Sequence, residues 1–132
     1  MAYPTLPVAG CTPAQFDVWI TTEVKKALPI VYNDTVSTAL FRKITRTQAL
    51  SLGVAGLCGC TLLVVYSAKA LYIGHYFEDL SFANAAAFQT TVLEALQNGI
   101  PNSATGVDNG QDSLASHAAD FGQGVKAWHI YI

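Results

Sequence analysis

Charge is what this 132-residue sequence has least of. Lysine and arginine number 7 and aspartate and glutamate 9, so charged residues make up 12% of the chain and the net charge is −2. No basic stripe appears, which excludes a surface built to neutralise phosphates and therefore nucleic-acid binding. Long hydrophobic runs are missing too. The longest is Leu62 to Tyr66, far short of the ~20 residues a membrane span needs. The opening MAYPTLPVAGCTP lacks the basic start and apolar stretch of a secretory signal.

Cysteine is scarce: Cys11, Cys58 and Cys60. An odd count excludes a complete disulfide framework, and without a Cys-x-x-Cys pair or a Cys/His ladder no zinc site is expected. A Cys11–Cys58 bridge leaving Cys60 over, and three thiols, both stay open. The glycines Gly53, Gly56 and Gly59 lack the Gly-Lys-Ser/Thr ending and following helix of a phosphate loop. No metal and no cofactor is expected.

What is present is apolar: 52% of the residues, enough for one domain with a real core. Residues 1–10, with Pro4 and Pro7, read as an extended arm. Thr12 as cap, Pro13 at the first turn and Phe16, Ile20, Val24 and Leu28 on one stripe predict a helix that Pro29 ends. The segment from Val36 to Ile44 fits a short helix or a strand. Residues 60–66 and 69–77 predict a hairpin, and 125–132 a last strand. Ala85, Phe88, Val92 and Leu96 predict a helix over 83–98, with Asp79 or Ser81 as its cap and Gly99 at its end. Residues 101–112 read as a polar loop, and 113–121 as a short helix.

The hairpin holds the most chemistry. With a turn centred on Ser67-Ala68, Tyr66 pairs with Lys69, and counting back brings Cys60 directly across from His75. Opposed residues share a face, with Cβ atoms ~4.5–5.5 Å apart. A thiol attacks as its thiolate, and an adjacent imidazole can take its proton and later return one to a leaving group. Gly59 lets a substrate approach the backbone, whose N–H groups can hold an oxyanion. A one-residue slip of register would separate the two side chains onto opposite faces.

Leu57-Cys58-Gly59-Cys60, an apolar strand, a short turn and a second strand ending in His75 resemble the glutamine deamidases of the cytotoxic necrotizing factor type. Burkholderia lethal factor and the chemoreceptor glutamine deamidase share their fold. The family signature is Leu-Ser-Gly-Cys, and this chain departs from it at Cys58. The resemblance covers about twenty-five residues. It implies a single-domain α/β sandwich over residues 1–132, a mainly antiparallel sheet flanked by helices. It also implies Cys60 as nucleophile, His75 as base, and Leu57, Cys58 and Gly59 beside the substrate. The reaction would convert glutamine to glutamate on a partner or host protein, by a chain secreted or delivered into a host cell. A third group orients the histidine in this family; the Val54 carbonyl, Thr45 and Thr47 are candidates here.

A second class is a non-catalytic secreted effector or interaction protein on the same scaffold. The thiol separates the two, because an enzyme needs Cys60 partly exposed and a binding module buries or oxidises it. A third reading is a self-associating domain that pairs through its C-terminal edge strand. Ser113, His117 and Asp120 share one helical face, but three consecutive turns of one helix rarely converge on one point, so a serine triad is discounted. Glu78 and Asp79 are expected to begin the next loop, and His129 to be a surface or core residue.

Overall fold

A computed structural model describes residues 10–26, 28–29, 36–45, 52–53, 59–101, 110–122 and 125–131. The expected arm, Leu57 and Cys58, the Val54 carbonyl, Thr47, most of the polar loop and the side chain of His129 lie outside the described residues.

Helix α1 (Pro13–Lys26) begins as the sequence predicts. Thr12 Oγ1 accepts from Gln15 N–H at 3.3 Å while Gln15 Oε1 accepts from Thr12 N–H at 2.9 Å, a reciprocal capping box. It ends before Leu28. A residue preceding proline avoids the helical region, and Leu28–Pro29 (β1) instead pairs in parallel with Leu52–Gly53 (β3). Two residues of the expected apolar stripe are exposed. Phe16 is 44% and Ile20 38% exposed.

The main sheet has four antiparallel strands: β2 (Thr38–Lys43), β4 (Thr61–Tyr66), β5 (Ala70–Tyr76) and β6 (Lys126–Tyr131), in the order β2-β5-β4-β6. The segment that also fitted a helix is therefore strand β2. Its β-branched and aromatic content suits a pleated surface, and β5 supplies the ladder. The outer edge of β2 is covered where Ala39 N–H donates to Gly110 O at 3.3 Å and Asp112 N–H to Ala39 O at 3.1 Å. Phe41 N–H donates to the Asp112 carboxylate at 2.6 Å. Strand β6 lies at the opposite edge, paired with β4.

Among the described residues, the helices after β5 pack on one face of the sheet. After α2 (Glu78–Ser81), Asn84 caps the next helix, its side chain accepting from Ala87 N–H at 2.9 Å. The expected caps Asp79 and Ser81 lie in α2 instead. The long helix runs as α3 (Ala85–Phe88), a π turn (Gln89–Leu93) and α4 (Glu94–Asn98), and Gly99 with φ +73° ends it. A 3-10 turn (Ala115–His117) and α5 (Ala118–Phe121) complete the layer. Ala39, Phe41, Val65, Ala70, Tyr72 and Phe121 form the core beneath these helices, with Leu96 and Leu114 against it. The opposite face carries a smaller cluster of Leu62 and Ile73 with Leu40, Leu52 and Val64. Among the described residues, no helix is long and apolar enough to cross a membrane.

Candidate functional site

The hairpin register differs from the sequence count. Tyr66 pairs with Leu71, and Leu62, not Cys60, lies directly across from His75. The turn moves outward because Ser67 takes its first corner. Ser67 Oγ accepts from Lys69 N–H at 3.0 Å and Ala70 N–H at 3.1 Å, and donates to Asp120 O at 2.9 Å. Hydroxyls favour turns through such bonds to backbone groups nearby. The pairing has shifted by two residues, and side chains alternate with period two. Cys60 and His75 therefore keep a common face and become diagonal neighbours, a relation typically ~7–8 Å between paired positions.

His75 sits on an inner strand, between β2 and β4, and is 0% exposed. Thr38, 3% exposed, lies directly across from it on β2. Cys60, 1% exposed, stands at the head of β4 behind Gly59, whose φ of +66° is in the left-handed region. The imidazole and the Thr38 hydroxyl thus stand directly across from each other, and the Cys60 thiol lies diagonally from the imidazole on the same face. Sequence reasoning missed Thr38, because its segment fitted helix and strand equally and no motif marks it. Of the threonines named as candidates, Thr45 is exposed and lies beyond the far end of β2, past Lys43 opposite Ala70. It cannot reach His75.

Cys60 and Cys11 both carry thiols, so no Cys11–Cys58 bridge is formed. Cys60 departs from the partial exposure expected of an enzyme thiol. It is packed where β4 meets the loop before it, one residue from Thr61, itself 6% exposed. Among the described residues, no group of three or more histidine, cysteine, aspartate or glutamate side chains could hold a metal ion.

Burial lowers the pKa of His75 below its ordinary value, because a charged imidazole is poorly solvated there. The ring is therefore neutral near pH 7, the form that can accept a proton. The same shift predicts a pH dependence of stability. As pH falls through about 6.5 the unfolded chain protonates this histidine, whereas the folded chain resists. The unfolded state then binds more protons, so stability drops by at most about 1.4 kcal/mol per pH unit until the folded pKa is passed. Thermal melting from about pH 7.5 down to about pH 5 should show this fall, and His75→Gln should flatten it. An unchanged slope in that variant would assign the fall to other groups.

The end of β5 is fixed by a line of hydroxyls. Phe77 N–H donates to Ser37 Oγ at 3.0 Å, and Ser37 and Ser81 share a hydrogen bond of 2.7 Å. Ser81 and Thr91 share one of 3.1 Å, and Thr91 Oγ1 donates to Ala87 O at 2.8 Å. Ser37 precedes Thr38, and Thr91 lies in the π turn, an irregularity frequent near functional sites.

Other constellations resolve as structure. Ser113 Oγ donates to Gln97 O at 2.6 Å and accepts from Ser116 N–H at 3.1 Å. His117 stacks on Phe41 with centroids 3.5 Å apart. That is no triad. A cavity of about 540 Å³ lined by Val65, Leu93, Leu96, Leu114, Phe121 and Val125 opens on the helical side, across the sheet from His75. Another of about 510 Å³ lies at the β2 edge by Arg42, Asn98 and Asp112. No family model, curated protein or solved structure matches the chain.

Proposed function

We propose that the chain is a cysteine-dependent protein glutamine deamidase with Cys60 as nucleophile and His75 as base. The observation that carries this reading is the shared face, with Cys60 at the head of β4 diagonal to His75 and Thr38 directly across from His75 on β2. His75 takes the thiol proton, and the sulfur attacks the side-chain amide carbon of a glutamine. As the tetrahedral intermediate collapses, the carbon–nitrogen bond breaks and the imidazolium returns its proton to the leaving ammonia. A water molecule, deprotonated by His75, then attacks the thioester and releases glutamate with the thiol restored. Backbone N–H groups beside Gly59 hold the oxyanion. Because Cys60 is 1% exposed, reaction with a protein substrate requires the site to open. The chain would act on a target protein after secretion or delivery into a host cell.

The same burial favours a second reading, a non-catalytic interaction protein on this frame. The pH dependence of iodoacetamide labelling at Cys60 separates the two. His75→Ala should slow labelling several-fold near neutral pH, since the thiol loses its proton acceptor. Coincident curves for wild type and variant would leave the second reading standing.

A further inference from the structure

The two edges of the main sheet are finished differently. At β2 the outer backbone groups are taken up by the chain itself, through Ala39 N–H to Gly110 O, Asp112 N–H to Ala39 O and Phe41 N–H to the Asp112 carboxylate. That strand also carries Arg42 and Lys43. Cover and charge are both devices by which folded proteins keep an edge from recruiting another strand. Strand β6 has little of either. Its inner side is laddered to β4 from Thr61↔Tyr131 to Tyr66↔Lys126, and among the described residues no segment pairs with its outer side. The strand reads KAWHIY, with no proline and one charged residue, Lys126, at its first position.

Apolar surface continues around this edge on the helical side. The cavity of about 540 Å³ is walled by Val65 of β4 and by Val125, just before β6. Leu93 and Val125 are 43% and 41% exposed, and Ala127 is exposed as well. An open ladder flanked by apolar side chains is an arrangement that adds a further strand. We propose that β6 pairs antiparallel with β6 of a second copy, joining the two sheets across a two-fold axis. The axis stands normal to the sheet, the operation that lays a strand antiparallel beside its own copy in one continuous sheet. It keeps both helical layers on the same side, so Val125 and the cavity of each copy lie beside the added strand of the other. Charge favours this self-pairing. Lys126 of one copy falls against the far end of the other strand, so the two lysines stand apart and no like charges are opposed. The covered β2 edge lets assembly stop at two copies. None of this depends on the deamidase reading.

The full chain, followed by sedimentation equilibrium, should show a mass that rises with concentration from one copy to two. A ladder of this length is a small interface, so its dissociation constant belongs at the weak end, on the order of 10–100 μM. Hydrogen exchange read by mass spectrometry locates the contact. Amides in residues 125–131 should gain protection as concentration rises, while those of β2 and β5 stay constant. Ala127→Lys and Ala127→Glu each put a charge at an exposed position, twice per interface by symmetry. Either should weaken the pairing on the order of tenfold, through the cost of desolvating that charge, and leave the dilute monomer's melting temperature unchanged. Lys126→Gln should leave the pairing within about twofold.

A chain that stays monomeric up to about 1 mM would overturn the proposal. So would a dimer without concentration-dependent protection at 125–131, or one that both Ala127 variants leave intact, because its interface then lies elsewhere. Assembly past two copies would reject the closed pair. A monomer whose 125–131 amides are protected only by an added peptide of unrelated sequence would also overturn it, and assign the edge to a peptide partner. Should one Ala127 variant fail to fold by circular dichroism, the other decides, and the wild-type exchange pattern is decisive by itself.

Discussion

Cys60→Ser is expected to abolish glutamine-to-glutamate conversion on any protein the wild type modifies, a loss on the order of 10³-fold or more. A serine hydroxyl is a far weaker nucleophile than a thiol at neutral pH, and a neutral imidazole without further activation cannot make up the difference. The site is 1% exposed, so a new hydroxyl there lacks water and costs about 1–3 kcal/mol if it finds no partner. That is less than the ~5–15 kcal/mol stability of a typical domain, so the variant should fold. The measurement is peptide mapping of a cell extract treated with wild type or variant, scored for the mass gain of amide-to-acid conversion. Matching sites in both samples would remove Cys60 from the reaction. No conversion by the wild type in extracts from several sources, with normal thiol labelling, would favour the interaction-protein reading.

Gly74→Ala should be the most damaging single methyl in the sheet. Glycine to alanine in a strand ordinarily gains about 0.5–1 kcal/mol through the unfolded chain. Here a Cβ would lie 2.8 Å from both Tyr76 Cε2 and its hydroxyl oxygen, and 2.9 Å from Cζ. Tyr76 is 1% exposed and Tyr72, next along that face, 0%, so the ring has nowhere to turn. Overpacking of this kind costs about 1–3 kcal/mol. The clash outweighs the backbone gain, and a net loss of about 1 kcal/mol should lower the melting temperature by roughly 3–5 °C. Adding Tyr76→Leu should recover part of the loss in a double-mutant cycle. Additive effects would place the cost somewhere other than this contact.

These effects hang on which features the sequence could specify alone. Alternation is the most robust of them, because it depends only on parity. Cys60 and His75 share a face although the turn lies one residue later than expected and every pairing shifts by two. The turn itself was not legible, because Ser67 closes it partly through a bond to Asp120 O, 53 residues away in the chain. Local propensity carries no trace of such a partner. Thr38 was missed for the same reason: only the pairing of β2 with β5 gives it a meaning. The caps of α1 read correctly because Thr12, Pro13 and Gln15 act within one turn. Its apolar stripe misled, since four-residue spacing states which residues share a side and not what lies opposite. Burial of Cys60 was also beyond reach, as packing at the head of β4 is a tertiary property.

The hydroxyl line from Phe77 to Ala87 has a mechanical consequence. The Thr91 hydroxyl points its one proton at both Ser81 Oγ, 3.1 Å away, and Ala87 O, 2.8 Å away, and Ser37 and Ser81 share theirs at 2.7 Å. Apolar neighbours such as Leu96 and Leu114 would tolerate a small slide of the long helix along the sheet, because dispersion contacts are many and individually weak. A line of oriented protons does not tolerate it, since a shift of an ångström breaks several short bonds together in a dry interior. The helix is keyed to the strand that carries His75 like a bolt in a notch. A slide of that helix would therefore have to carry the end of the His75 strand with it.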